Sequence, residues 1–154
     1  MRELERAPLR TRRLDEIAEG LPQRAAALSR LFLTRTTIDV TRTEVGVMRT
    51  VSVRPQRITE LAAAEGVTQP AITRVVNRLQ ERGWVTRHSD PGDGRVVNVG
   101  LTPAGRMVFE RLRGEYRALV HEEMAALDDD DVETLARAID VLDELIERLE
   151  DRGL

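Results

Sequence analysis

The segment Ile58–Asn77, with the sequence ITELAAAEGVTQPAITRVVN, decides the fold of this chain. Its residues suit two short helices that meet at a corner, because Ala62 is small where the helices cross closely and Gly66 can take the tight turn. We expect Thr59 and Thr68 to cap the two helices, since threonine hydroxyls accept hydrogen bonds from the free amides of a first turn. The segment therefore predicts a helix-turn-helix. A generic helical hairpin, the alternative, needs neither the small residue nor the glycine at that offset.

The exposed face of the second helix carries short polar side chains and arginines. Removing the apolar anchors leaves one set of candidate DNA contacts: Thr68, Gln69, Pro70, Ala71, Thr73, Arg74, Asn77 and Arg78. Gln69 and Arg74 can read adenine and guanine edges in a major groove, and Ala71 can meet a thymine methyl group. Thr68 or Arg78 can hold a phosphate, although for Arg78 a solvated position or an ion pair with Glu81 is an equal alternative. This face predicts double-stranded DNA as the partner.

A predicted β-hairpin follows the second helix. The extended runs Trp84–Ser89 and Val96–Leu101 are joined by Asp90–Arg95, whose Asp-Gly pair suits a tight turn. This hairpin is expected to form a wing beside the recognition helix, with Arg87 on its first strand as a candidate DNA contact. Arg95, just past the tip, either enters the minor groove of DNA or braces the wing by pairing with an acid in the turn.

Helical patterns flank this lobe on both sides. Pro22 is expected in the first turn of a helix, and a second helix is expected to start at Thr43. Thr102-Pro103 then opens a long helix, with threonine as its cap. The four acids Asp128–Asp131 complement the positive end of a helix, so we interpret them as a helix start rather than a cation site.

The last predicted helix, Val132 to about Asp151, has a broad apolar stripe. The residues that recur at three- and four-residue spacing are the predicted dimerisation contacts: Leu135, Ile139, Leu142, Ile146 and Leu149. A stripe this wide in a small chain needs more cover than one layer of its own domain gives, so we expect a homodimer. Packing of this helix against the first helix of the same chain is the alternative.

These patterns predict a mainly α fold with a small β-hairpin (α+β), that is, a winged helix-turn-helix with a helical dimerisation region. Four parts follow along the chain: an Arg-rich N-terminal extension (1–21), a first dimerisation helix (22–41), a winged helix-turn-helix DNA-binding lobe (42–101) and long C-terminal dimerisation helices (102–154). The extension either follows the DNA backbone as an arm or is merely solvated.

Charge is distributed unevenly along the 154 residues, although the net charge is only −3. Residues 1–41 and 42–95 carry net charges of +2 and +3, whereas residues 96–154 carry −8. All 24 basic residues are arginine, whose planar guanidinium suits phosphate oxygens and guanine edges. The negative net charge of the whole chain therefore does not argue against a nucleic-acid partner.

The residue inventory excludes several functional classes. The absence of cysteine excludes disulfides, thiolate zinc sites and a thiol redox switch. His88 and His121 stand in no metalloprotease, P-loop or nucleophile-elbow pattern, so we expect no enzymatic activity, cofactor or metal. No apolar run reaches the roughly 18 residues of a membrane span, and the N-terminus lacks the apolar centre of a signal peptide. We therefore expect a cytoplasmic protein without a membrane partner.

Five motifs carry a resemblance to a known family. They are ITELA (58–62), GVTQPAITR (66–74), LQERGWV (79–85), DPGDGR (90–95) and LTPAG (101–105). Together they resemble the multiple-antibiotic-resistance regulator (MarR) family of winged helix-turn-helix repressors, from about Pro22 to the C-terminus. Gly94 stands where the family often has Arg, so the minor-groove contact is either absent or transferred to Arg95. Trp84 stands where Leu is usual, and we interpret it as core filling.

The resemblance implies a homodimer on a palindromic operator, with two recognition helices in successive major grooves. It also implies a small-molecule pocket between the dimer helices and the DNA-binding lobe, for which we expect Met48, Arg49 and Tyr116 as lining residues. The chain is thus expected to be a sequence-specific transcriptional regulator, acting as a repressor that an effector releases from DNA. The alternative is a dimeric winged-helix adaptor that binds protein. The polar recognition helix, without aromatic anchors, favours DNA.

Overall fold

The computed structural model describes residues 2–89 and 97–152, with side chains from Leu9 onward. Within these ranges the elements in chain order are α1 (Arg2–Arg35), α2 (Arg42–Val53), β1 (Gln56–Arg57), α3 (Ile58–Ala64), α4 (Gln69–Glu81), β2 (Val85–Ser89), β3 (Val97–Leu101), α5 (Pro103–Met124) and α6 (Asp129–Glu150). The helices with their small antiparallel sheet confirm the predicted fold class. None of the described helices has the length and apolar character needed to cross a membrane.

The first helix begins much earlier than the sequence indicated. α1 is continuous from Arg2 to Arg35, so the start predicted at Pro22 is wrong, and the stretch assigned to an N-terminal extension is helical. Proline removes one backbone donor from a helix interior. Near it, the Arg24 guanidinium donates a hydrogen bond to the Gly20 carbonyl at 3.0 Å. The many Arg, Leu, Glu and Ala residues on both sides favour a helix, and their summed propensity outweighs one unfavourable position.

The cap of α2 also differs from the prediction. Thr41 occupies the cap position instead of Thr43: its hydroxyl accepts from the Glu44 amide at 3.3 Å. The Glu44 carboxylate in turn accepts from the Thr41 amide at 2.8 Å. This reciprocal capping box satisfies two free amides at once, whereas a cap at Thr43 has no acid three residues later.

The predicted helix-turn-helix is confirmed, with different capping contacts. Gly66 lies between α3 and α4 with a φ of +62°, in the left-handed region that favours glycine. Thr59 is not the cap of α3, because the helix starts at Ile58 and Arg57 occupies the cap position, two residues before Thr59. The Arg57 amide donates to the Glu60 carboxylate at 2.8 Å. Thr68 does occupy the cap position of α4, but its side chain makes no capping hydrogen bond.

The sheet contains one strand more than the predicted hairpin. β3 lies in the middle, with β2 on one side and β1 on the other, both antiparallel to it. β2 and β3 pair from Val85 opposite Leu101 to Ser89 opposite Val97, as expected for a wing. The turn predicted at Asp90–Arg95 lies outside the described residues, and with it the candidate contact Arg95.

One apolar core holds the helix-turn-helix and the sheet together. Its fully buried side chains come from α2, α3, α4 and both long strands: Val47, Met48, Leu61, Ile72, Val76, Leu79, Val85 and Val99. Phe109 of α5 joins them, and Trp84 packs against the cluster as the predicted core filler. The core therefore fixes α4 against the wing strands, with its polar side exposed.

The chain divides into two compact units, one ending at Arg113 and the other beginning at Gly114. The second unit contains the C-terminal half of α5 and all of α6. Asp128 caps α6 by accepting from the Asp131 amide at 2.8 Å, which confirms that the four aspartates start a helix. No described side chain of α6 is buried. This holds for the predicted dimerisation residues too: the side chain of Ile139 is 59% exposed and that of Ile146 is 50% exposed.

Candidate nucleic-acid interface

The N-terminal half of α4 presents an open groove of about 490 Å³. The groove is lined by Gln69, Pro70, Thr73 and Arg74, all of which were predicted as DNA contacts. The Thr73 hydroxyl donates to the Gln69 carbonyl at 2.8 Å, so its side chain is held in one orientation. Four candidate contacts thus share one surface of one rigid helix.

Arg74 is the cation that this groove exposes. No ion pair or hydrogen bond joins its guanidinium to another side chain in the part of the chain that the structure describes. A planar guanidinium group without a side-chain partner, in the first half of a recognition helix, has the geometry for bidentate contact with a guanine edge. The arginines farther along α4 are placed differently.

Arg78 forms an ion pair with a buried acid on another helix. Its Nε lies 3.2 Å from Oε1 of Glu44, whose side chain is only 2% exposed, while the Arg78 side chain remains 47% exposed. The ion pair considered in the sequence, with Glu81, is therefore replaced by one that joins α4 to α2. Burial alone would raise the pKa of the Glu44 carboxyl. Hydrogen bonds from Thr41 and Arg78 outweigh this effect and bring the pKa below its usual value.

Arg82, just after α4, braces the end of the helix. It donates to the Asp39 carbonyl at 2.6 Å and to the Asp39 carboxylate at 3.3 Å. Its guanidinium carbon also lies 5.0 Å from the centre of the Trp84 ring, within cation–π range. These contacts tie the recognition helix to the segment before α2.

Arg87 of β2 connects the wing to the recognition helix. Its two terminal nitrogens donate to the side-chain oxygens of Asn77, at 2.7 Å, and of Gln80. Two predicted DNA contacts, Arg87 and Asn77, therefore touch each other. Gln80 was not predicted as a site residue, although its position three residues after Asn77 places it on the same face of a helix.

A second acid, the half-buried Glu65, was also missed by sequence reasoning. Burial raises the pKa of its carboxyl, and the positive charges of Arg49 and Arg42 oppose this rise only in part. Its carboxylate lies against Gly46 of α2, where an added Cβ would be 2.2 Å from each oxygen. Glu65 therefore packs the turn of the helix-turn-helix onto α2.

The three predicted effector contacts lie in different settings. Met48 is fully buried in the core, Arg49 is exposed on α2, and Tyr116 is half-buried in the second unit. Burial, and then the charge of Glu115, raise the pKa of the Tyr116 hydroxyl. A separate groove of about 350 Å³ lies between α1 and the start of α2 and is lined by Pro22, Ala25, Ala26, Ser29, Arg30, Leu33 and Arg42.

Comparison with known proteins supports the fold and relates part of the chain to a known family. Residues 38–96 match the model of the MarR family. The HTH-type transcriptional regulator ML2140 of Mycobacterium leprae is 33% identical over 87 residues, which are 56% of this chain and 61% of that relative. The match thus spans about three fifths of the relative's length.

Two solved structures extend the comparison over most of the chain. Wild-type MarR from E. coli, in its apo form, is 27% identical with a TM-score of 0.68, over 84% of this chain and 96% of that one. FabT from Streptococcus pneumoniae, solved in complex with DNA, shares the fold with a TM-score of 0.65 at 18% identity, over 90% and 98% of the two chains. By its name, the relative ML2140 is a transcriptional regulator. The chain is thus similar to the MarR family, over residues 38–96 in sequence and over most of its length in fold, as its motifs predicted.

Proposed function

We propose that the protein is a transcriptional regulator that binds double-stranded DNA in a sequence-specific manner through α4. The observation that carries this proposal is the separation of roles among its arginines. Arg78, Arg82 and Arg87 are held by partners in the protein, whereas Arg74 and Gln69 line an open groove at the N-terminal half of the helix. This is the part of a recognition helix that reaches base edges. FabT, which shares the fold, was solved with DNA.

Within this function, we keep the predicted division of contacts. Gln69, Ala71, Thr73 and Arg74 are proposed to face base edges, and Thr68 to hold a phosphate. Arg78 keeps enough exposure to reach a phosphate while its Nε stays paired with Glu44. Arg95 stays a prediction, because it lies outside the described residues.

We further propose that the protein acts as a homodimer on a palindromic operator. The apolar stripe of α6 supports this, since Leu135, Ile139 and Leu149 are each at least 42% exposed in the single chain. Exposed apolar residues at this regular spacing are typical of helices that pair with another helix. A two-fold axis would place the two α4 helices about 34 Å apart, one turn of DNA. A bound dimer would then act as a repressor by occupying its operator.

Control by a small-molecule effector is the remaining part of the proposal. The groove between α1 and α2 combines an apolar lining with the guanidinium groups of Arg30 and Arg42, which suits an apolar ligand bearing an anionic group. A ligand that binds the DNA-free form more tightly would release the operator, because affinity for the two ligands must be coupled reciprocally. This DNA-linked role would place the protein in the cytoplasm.

The experiment is a selection of bound duplexes from a randomised pool, followed by titrations at several salt concentrations. We expect a palindrome with half-sites about 10 base pairs apart, and an affinity that falls steeply with salt. Arg74→Ala should cost about 1–3 kcal/mol and relax the preference at one position of each half-site. Arg148→Ala on α6, whose guanidinium pairs with Glu144 at 3.2 Å, is the matched control and should retain full affinity. Absent or salt-insensitive binding would instead support the protein-binding adaptor.

A further inference from the structure

The contact between Arg87 and the two amides of α4 fixes which end of each amide faces outward. A guanidinium has only donors, so it can be satisfied only by the oxygen of a carboxamide. Arg87 donates from one terminal nitrogen to Oδ1 of Asn77 and from the other to Oε1 of Gln80. Rotating either amide by half a turn would place an NH₂ group against the guanidinium, which is repulsive. The two terminal nitrogens of the Arg87 guanidinium, called the fork below, therefore select one orientation of the Asn77 amide and one of the Gln80 amide.

The selected orientation leaves two NH₂ groups as donors beside the wing. Asn77 and Gln80 are exposed, Arg87 is half-buried, and no contact within residues 9–89 and 97–152 uses Nδ2 of Asn77 or Nε2 of Gln80. Asn77 and Gln80 lie three residues apart on one face of α4, so one strand side chain reaches both. Without the fork, either amide could present its acceptor as readily as its donors.

We propose that Arg87 is a positioning residue for DNA recognition, which sets Asn77 and Gln80 to present donors to hydrogen-bond acceptors of the duplex. This inference rests on the proposed DNA binding through α4. The acceptors are phosphate oxygens or the acceptor atoms of base edges, both of which pair with a neutral NH₂ group. Arg87 acts through the two amides, to each of which one of its terminal nitrogens donates a hydrogen bond. Its role thus differs from the direct DNA contact expected from the sequence.

The test compares Arg87→Lys with the wild-type protein on the selected operator. Lysine keeps the positive charge but lacks the planar fork that holds two oxygens together. We expect Arg87→Lys to bind at least about tenfold more weakly, the effect of losing one or two ordinary hydrogen bonds per subunit, with an unchanged slope of affinity against salt. Thermal unfolding of both proteins, measured alongside, shows whether the variant is folded at the binding temperature.

A double-mutant cycle tests whether Arg87 acts through Asn77. If it does, Arg87→Lys should weaken binding much less in an Asn77→Ala background than in the wild type. The selection then distinguishes the two kinds of acceptor: relaxed base preference indicates base edges, and uniform weakening indicates phosphates. If Arg87→Lys fails to fold, the double variant Asn77→Ala, Gln80→Ala tests instead whether the two amides contribute to DNA binding.

Three results would overturn the inference. They are wild-type affinity in Arg87→Lys, additive effects of Arg87→Lys and Asn77→Ala, and wild-type affinity in the Asn77→Ala, Gln80→Ala protein. Each of these concerns variants of a protein that does bind DNA. Failure of the proposed function would appear differently, as absent binding by the wild-type chain.

Discussion

Replacing Gly105 by alanine tests the packing between the first turn of α5 and the start of the wing. A Cβ at this position would lie 1.8 Å from the carbonyl oxygen of Trp84, 2.7 Å from its carbonyl carbon and 2.9 Å from its Cα. All three are backbone atoms, so no side chain can rotate away to make space. The same carbonyl accepts a hydrogen bond from the Thr102 amide at 3.0 Å, so moving it disturbs the junction between β3 and α5 as well.

The expected loss of stability follows from three effects. Forcing an extra methyl group into a packed site costs about 1–3 kcal/mol, and more where backbone must move. Weakening the Thr102–Trp84 hydrogen bond adds about 1 kcal/mol. The better helix propensity of alanine offsets about 1 kcal/mol. The net loss for Gly105→Ala is thus about 1–3 kcal/mol, which lowers the Tm by roughly 2–12 °C for a chain of this size.

Thermal and urea unfolding followed by circular dichroism measure this loss, and Gly114→Ala is the matched control. Gly114 lies on the same helix, and its added Cβ would meet no heavy atom within 4 Å in the described part of the chain. The control should gain up to about 1 kcal/mol from helix propensity alone. If Gly105→Ala were as stable as the control, the close approach of α5 to the Trp84 carbonyl would be refuted.

Two further substitutions test the buried acid and the apolar stripe. Glu44→Gln should lose about 1–2 kcal/mol, less than a fully buried pair because Arg78 is half-exposed. Since the pKa of Glu44 is lowered in the folded state, this difference should be constant above about pH 5 and shrink as the pH falls through the folded pKa. Urea unfolding from pH 3 to 8 checks it, and a difference that grows at low pH would contradict the assignment. Ile139→Glu should shift sedimentation from dimer toward monomer and weaken operator binding, while the solvent-facing control Arg137→Glu should leave sedimentation unchanged. A dimer of normal affinity in Ile139→Glu would rule out α6 as the interface.

Several features were predictable because they depend on residues close together in the chain. The tight turn at Gly66 and the helix starts at Thr102 and Asp128 involve contacts over three or four residues, and the structure confirms each. The cap at Thr41 belongs to the same class: its signal, an acid three residues later, is present in the sequence and was overlooked in favour of Thr43. Local hydrogen bonds of this kind leave a fixed spacing in the sequence.

The partners of the arginines, in contrast, were decided by the tertiary structure alone. Arg78 pairs with an acid 34 residues away and Arg82 with one 43 residues away, and nearer acids such as Glu81 were equally plausible from the sequence. A charged side chain does not specify which distant partner it will meet, because the pairing follows from how the apolar core brings the helices together. The sequence therefore determined which face of α4 is polar, and the packing of α2 and β2 against it decided that Arg74 stays available while Arg78 and Arg87 are held.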